Sequence, residues 1–142
     1  MSKDIILCEK LDPEAKIPTR KFPTDAGMDV YALEETIVPP HAIKVVRTGV
    51  TCNFPEKTVI FGWPKSRSDF LVGAGVIDHG YQGEILVKVT NILDKPLTIK
   101  KHQGIAQLVI VPFICPIIEE AENIHIKKTE RGVTGGIVGN SK

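Results

Sequence analysis

Short runs of β-branched and other apolar residues recur along the chain, and each run is only a few residues long. No window of helical length keeps an uninterrupted apolar period of 3.6 residues, which disfavours amphipathic helices. Turn-forming pairs such as Pro39-Pro40 and His79-Gly80 separate the runs. Many short strands at near-regular spacing are typical of a sandwich or barrel, so the pattern predicts an all-β protein. The predicted strands are residues 5–7, 36–38, 43–48, 58–63, 85–91, 97–99 and 108–113.

The length of the chain, 142 residues, fits one domain. One short helix is predicted at residues 66–70. The 18 basic and 17 acidic residues nearly cancel, so no net field draws the protein to nucleic acid or to an anionic membrane, and we expect neither partner. The longest apolar run, residues 105–118, is interrupted by Gln107, Pro112 and Pro116 and is not expected to span a bilayer.

The cysteines Cys8, Cys52 and Cys115 lie far apart in the sequence and are odd in number. They form no CxxC pair and no zinc-finger spacing with histidine. We therefore expect reduced, half-buried thiols in a cytosol-like compartment. The first ten residues carry charges within their short apolar run, which argues against a signal peptide and agrees with a cytoplasmic protein.

Three segments in the first half of the chain carry residue types suited to a charged ligand. In DAGMDVYA, residues 25–32, a glycine precedes an alternating strand and is expected to place Asp29 at its start. In WPKSRS, residues 63–68, two cations and two hydroxyls follow a strand, a set that suits phosphate oxygens. In GAGVIDHGYQGE, residues 73–84, Asp78 precedes a sharp turn and Tyr81, which suits a general base beside a flat ligand.

Two further segments lie near the end of the chain. Gln107 is a lone amide in an apolar strand, where burial is costly unless the amide finds partners. Residues 129–142, TERGVTGGIVGNSK, lack the apolar surface to dock alone, and a frayed terminus is the plainer interpretation. Taken singly, Asp78 is an ordinary turn residue and Lys65 and Arg67 are an ordinary solvated face.

Taken together and in this order, the segments resemble the five motifs of the trimeric dUTP diphosphatase (dUTPase) family over nearly the whole chain. GVIDHGYQGE is similar to that family's GVID-x-(D/G)-Y-x-G-(E/N) segment without a gap. DAGMDVYA resembles its AG-x-D-L motif, IAQL matches the core of its fourth motif, and TERG opens its fifth. The resemblance implies a distorted jelly-roll barrel at residues 1–128, then a flexible tail at residues 129–142 that is exchanged between subunits of a homotrimer.

The resemblance also implies the reaction, in which dUTP is hydrolysed to dUMP and pyrophosphate by in-line attack of water on the α-phosphorus. Asp78 would activate the water, Tyr81 would lie under the deoxyribose, and Asp29 would support the site through hydrogen bonds or metal-bound water. Mg²⁺ would be held mainly by substrate phosphates and water rather than by a protein cage. The implied substrate-binding residues are Lys65, Ser66, Arg67, Ser68, Gly75, Ile77, Tyr81, Gln107, Arg131 and Ile137.

Three departures from the family's pattern bear on these roles. The second motif reads PKSRSDF, so its phosphate-binding pair is either Lys65-Ser66 or Arg67-Ser68, and the preceding proline favours Ser66. The fourth motif lacks the family's charged pair and has Gln103-Gly104 instead. In the fifth motif, Ile137 stands where the family places a phenylalanine, so it offers apolar cover for uracil but no π-face.

Three other functions compete with dUTP hydrolysis. In dCTP deaminase, a related enzyme of the same fold, a glutamate on the strand after the third motif serves the deamination. Residues 85–90 carry no carboxylate and Lys88 sits near the expected place, which disfavours simple deamination. The imperfect second and fifth motifs leave open a nucleotide-sensing or regulatory relative, and a generic β-sandwich binding module is the plainest alternative.

Overall fold

The computed structural model describes residues 4–125, 127–130 and 132. Within these residues the chain forms eleven β-strands, and no helix there is long and apolar enough to cross a membrane. The strands are β1 Leu7–Lys10, β2 Gly27–Tyr31, β3 Thr36–Val38, β4 Ile43–Arg47, β5 Val50–Asn53, β6 Thr58–Trp63, β7 Leu71–Val72, β8 Gly75–Ile77, β9 Leu86–Thr90, β10 Leu97–Ile99 and β11 Gly104–Pro112.

The strands pair in antiparallel fashion in four sheets. The largest has the order β2-β11-β6-β8, a second has the order β4-β9-β7, and β1-β5 and β10-β3 form two-stranded sheets. Inward-facing residues alternate with outward-facing ones, as in β2, where Met28 and Val30 are buried and Asp29 between them is not. Ile60, Ile105 and Leu108 are fully buried and join the sheets into one core.

The predicted strands largely match the observed ones. Residues 36–38, 58–63 and 97–99 are confirmed at both ends as β3, β6 and β10. Residues 43–48, 85–91 and 108–113 overlap β4, β9 and β11, although β11 begins earlier, at Gly104. The strand predicted at residues 5–7 is displaced to Leu7–Lys10. The separate strand β5 was missed, and it follows Gly49, whose φ of 69° breaks the extended run after β4.

The short helix predicted at residues 66–70 is wrong. This segment is a turn in which the Ser68 amide donates to the Lys65 carbonyl at 3.3 Å. Phe70 is buried in the core and anchors the end of the connection between β6 and β7. A single helical turn gains too few backbone hydrogen bonds to offset the entropy of nucleation.

The three cysteines are free thiols. Cys8 and Cys52 are half-buried, as expected, but Cys115 is exposed and the expectation is wrong there. Cys115 follows β11 in a described segment without strand or helix, which explains its exposure.

Candidate active site

Three of the predicted site residues meet on the outer face of the four-stranded sheet and are called here the Asp29 cluster: Asp29, Lys65 and Gln107. Gln107 of β11 lies opposite Asp29 of β2 on one side and opposite Trp63 of β6 on the other. Lys65 follows β6, and its Nζ lies 2.7 Å from Asp29 Oδ2. The two side chains are 31% and 32% exposed, so an anionic ligand can reach the lysine.

Two glycines make room for the Asp29 cluster. A Cβ at Gly27 would collide with the Gln107 amide oxygen, so only glycine fits at the start of β2. A Cβ at Gly104 would lie 3.2 Å from Lys65 Nζ, tighter than ordinary van der Waals contact. The Gln107 amide nitrogen donates to the Pro64 carbonyl at 3.0 Å and so finds the partner that a half-buried amide needs. Gly104, one of the departures from the family's pattern, thus leaves space for a cation that arrives from another strand.

The third motif forms the Asp78 turn, residues 78–84. The Tyr81 amide donates to the Asp78 carbonyl at 3.0 Å and closes a tight turn through His79 and Gly80. The Tyr81 hydroxyl donates to the Glu84 carbonyl at 2.6 Å. A Cβ at Gly83 would lie 2.6 Å from the same hydroxyl, so the tyrosine ring adopts this position because residue 83 is glycine.

The Asp78 turn is fastened from behind by the β4–β5 region. The Glu84 carboxylate accepts the Gly49 amide at 2.7 Å and lies 3.3 Å from Arg47 Nε. The Thr51 hydroxyl donates to the Gln82 carbonyl at 3.3 Å. These contacts hold both ends of the segment that carries Asp78, which limits the freedom of its carboxylate.

A cavity of about 380 Å³ lies between β8, β9 and the core side of β11. Its volume falls in the range of sites for small organic ligands. Four of the predicted site residues line it: Gly75, Ile77, Asp78 and Tyr81. Lys88 of β9 lines it as well, at the place where the deaminase alternative requires a carboxylic acid.

The Asp29 cluster and the Asp78 turn lie at opposite ends of β6. Ile77 of β8 pairs with Ile60, so Asp78 falls one step further toward the start of β6. Trp63 is the last residue of β6, and Lys65 lies beyond it. Four residues of strand separate these positions by about 13 Å. One copy of the chain therefore does not bring Asp78 and Lys65 into contact with the same phosphate group.

The remaining predicted site residues are placed as follows. Asp29 lies in the middle of β2, not at its start as expected, because the strand already begins at Gly27. Ser66 and Arg67 are exposed at the tip of the turn after β6, and Ser68 is half-buried. Arg131 and Ile137 lie outside the described residues, as does most of the predicted tail.

Sequence reasoning missed several residues that shape the site. Glu84 had no assigned role, yet it fastens the Asp78 turn. The ion pair between Lys65 and Asp29 was also missed, because the two residues are in different motifs. The available signals were the acid that ends the third motif and the glycines at positions 27 and 83. In the described part of the chain, no three His, Cys, Asp or Glu side chains gather into a possible metal cage.

Comparison with known proteins gives concordant matches. The dUTPase family model matches residues 13–141. A deoxyuridine 5'-triphosphate nucleotidohydrolase of Clostridioides difficile is 33% identical over 133 residues, which cover 89% of this chain and 92% of the relative. The corresponding protein of Candida albicans is 35% identical over 129 residues, 87% of this chain and 80% of the relative.

Solved structures agree with the sequence matches. The Staphylococcus bacteriophage 80alpha dUTPase with dUPNHPP has a TM-score of 0.83 and 26% identity, and the match covers 92% of this chain and 95% of that one. The dUTPase of phage phi11 of S. aureus, which has a structural Mg(II) ion, has a TM-score of 0.77. At 23% identity and 85% coverage of this chain, that second likeness concerns the fold alone.

Proposed function

This chain belongs to the dUTPase family, and from that premise we propose that it hydrolyses dUTP to dUMP and pyrophosphate. The family and the all-β fold expected from the sequence are both confirmed by the comparisons. The observation that carries the proposal is that Asp78, Gly75, Ile77 and Tyr81, all from the most specific motif, line one cavity of nucleoside size.

The residues around the cavity divide the work of the reaction. The Asp78 carboxylate, at the edge of the cavity, takes the proton of the attacking water. The attack is in line on the α-phosphorus, and pyrophosphate leaves from the opposite side. Tyr81 lies against the deoxyribose, and the backbone near Gly75 reads the uracil. The hydrogen bonds of Glu84 keep the carboxylate of Asp78 oriented, which lowers the entropic cost of reaching the transition state.

The Asp29 cluster and the following turn bind the phosphate chain in this proposal. Lys65 offers a cation, Ser66 a hydroxyl and Gln107 an amide donor, which together suit phosphate oxygens. Arg131 would add a second cation at the γ-phosphate. Asp29 holds Lys65 in place before substrate arrives, at 2.7 Å, so the ammonium is already oriented.

We propose Mg²⁺ as the cofactor. The donor set fits this ion, since the Asp29 carboxylate is a hard oxygen donor, one-third exposed, on the phosphate-binding face. Mg²⁺ keeps several waters and takes phosphate oxygens readily, so Asp29 would hold it through water and the substrate would supply the direct ligands. When bound, the ion neutralises the triphosphate and orients it.

We propose a homotrimer as the active assembly, because the separation along β6 requires the Asp29 cluster of one copy to face the Asp78 turn of another. Apolar surface supports association. Ile43, Val45, Leu71 and Leu86 are exposed on one face of the β4-β9-β7 sheet. After β11, Ile117 and Ile118 are 87% and 95% exposed. Exposed apolar residues grouped in this way are typical of subunit contacts.

The test of the proposed reaction is a substrate panel. We expect purified protein with Mg²⁺ to release pyrophosphate from dUTP, and to prefer dUTP over UTP in kcat/KM by on the order of 10². Tyr81→Ala should relax that preference about tenfold, because the ring no longer crowds a 2′-hydroxyl. Tyr81→Phe is the matched control, since it keeps the ring and removes only the hydroxyl. Equal turnover of UTP and dUTP by the unaltered protein would contradict the assigned position of the tyrosine.

We also expect deletion of residues 129–142 to preserve a folded trimer and to lower turnover by on the order of 10² or more. The deletion removes Arg131 and with it a charge-assisted contact to the γ-phosphate. Light scattering checks the trimer and pyrophosphate release checks turnover. Arg131→Ala in the full-length chain separates loss of charge from loss of the tail. Full activity of the truncated protein would rule out a role of the tail in the site.

A further inference from the structure

Cys8 and Cys52 face each other across the β1-β5 sheet. The register pairs them directly, and their Sγ atoms lie 3.1 Å apart. They are 44 residues apart in the sequence and are both half-buried. Neither thiol lines the cavity of the proposed active site, so their role is separate from turnover.

The backbone at this pair has the geometry that a disulfide needs. Hydrogen-bonded and non-bonded residue pairs alternate along an antiparallel ladder. The Leu11 amide donates to the Gly49 carbonyl at 2.7 Å, which marks that pair as hydrogen-bonded. Cys8 and Cys52 lie three positions further along and are therefore a non-bonded pair, with Cα atoms about 4.5 Å apart. That separation is within the range found in disulfides, so the bond needs no shift of register.

The two thiols differ in acidity. The hydrogen bond with Cys52 lowers the pKa of Cys8, while burial acts in the opposite direction. The same hydrogen bond, together with burial, raises the pKa of Cys52. Cys8 is therefore the thiol that ionises first, and a thiolate is the nucleophile in thiol–disulfide exchange.

We propose that Cys8 and Cys52 are a redox-active dithiol that closes to an intramolecular disulfide by exchange with a low-molecular-weight disulfide. The Cys8 thiolate attacks one sulfur of that disulfide, forms a mixed disulfide and releases one thiolate. Cys52 then loses its proton and attacks the Cys8 sulfur, which expels the second thiolate. Two protein thiols are oxidised and one external disulfide is reduced to two thiols.

The position of β1 gives the bond a physical consequence. β1 pairs with β5 alone, and three of its four side chains are exposed, so little apolar burial holds the strand. β5 in turn supports the Asp78 turn, because the Ile85 amide donates to the Val50 carbonyl and the Thr51 hydroxyl to the Gln82 carbonyl. A bond between Cys8 and Cys52 fastens the first strand to this support and restricts the unfolded chain.

The test treats the full-length protein with oxidised glutathione, at fixed protein concentration, and compares it with the same protein in reduced glutathione. We expect a loss of two hydrogen atoms in intact mass and a tryptic peptide pair linked through Cys8 and Cys52. We also expect the midpoint of thermal unfolding to rise by about 10 °C, as a cross-link of this loop length predicts. Turnover should change by less than about twofold, because the register already matches the bonded state.

Three variants make the result specific. Cys115→Ser should keep the full oxidation-dependent shift, because Cys115 is exposed and outside the pair. Cys8→Ser and Cys52→Ala should each lose it, and each variant is compared with itself in both buffers, so a change in baseline stability cancels. If glutathione adds to the two cysteines separately without a linked peptide, or if the shift persists in Cys8→Ser, the proposal is overturned.

Discussion

Replacing Asp78 with asparagine is expected to leave the fold intact and to lower kcat for dUTP by on the order of 10²- to 10⁴-fold. Asparagine has nearly the same shape as aspartate but does not take a proton from water at neutral pH. The Asp78 turn itself is held by backbone groups and by Glu84, none of which the substitution removes. Steady-state pyrophosphate release gives kcat, and circular dichroism checks the fold.

The Asp78→Asn experiment has a natural control in Asp94→Asn. Asp94 is also a surface aspartate, and its carboxylate pairs with His41 at 2.7 Å, outside the cavity and the Asp29 cluster. We expect turnover of Asp94→Asn to be unchanged. Binding of a non-hydrolysable dUTP analogue should be similar in both variants, since Asp78 acts on the water. Near-normal turnover by Asp78→Asn would move the proton transfer to another group.

Activity should reappear when two inactive variants are mixed, if each site takes Asp78 from one subunit and Lys65 from another. Asp78→Asn removes the base, and Lys65→Glu places a second carboxylate beside Asp29 where phosphates bind, so we expect each to be nearly inactive alone. In trimers refolded from an equal mixture, each site has one chance in two of receiving each intact residue. About a quarter of the sites should then be active.

The matched control for the mixing experiment is a double variant that carries both substitutions in one chain. Mixed with Asp78→Asn, it leaves every site without the base, so we expect no recovery. A site contained within one subunit predicts no recovery in either mixture. Recovery in the first mixture alone therefore identifies a site shared between subunits, and its absence would overturn the proposed trimeric arrangement while leaving the reaction itself testable with the unaltered protein.

The amino-acid sequence by itself determined the strand content and the family. Runs such as residues 58–63 alternate or are uniformly apolar over a few residues, and that information is local, so β6 was predicted at both of its ends. The ordered motifs likewise identified Asp78 and Tyr81, because GVIDHGYQGE is contiguous in the chain. Local reasoning failed at residues 66–70, where a buried Phe70 shapes the turn through contacts with distant strands.

Only the tertiary structure decided which of these residues meet. The pairing of Gln107 with Asp29, the ion pair of Lys65 with Asp29 and the opposition of Cys8 and Cys52 all depend on strand register. Register is set by which side chains fill the shared core and by the turns between strands, and a shift of one residue would turn each of these side chains to the other face. The separation of Asp78 from Lys65 along β6 has the same origin, and for that reason a list of motifs does not reveal that one chain carries only parts of the site.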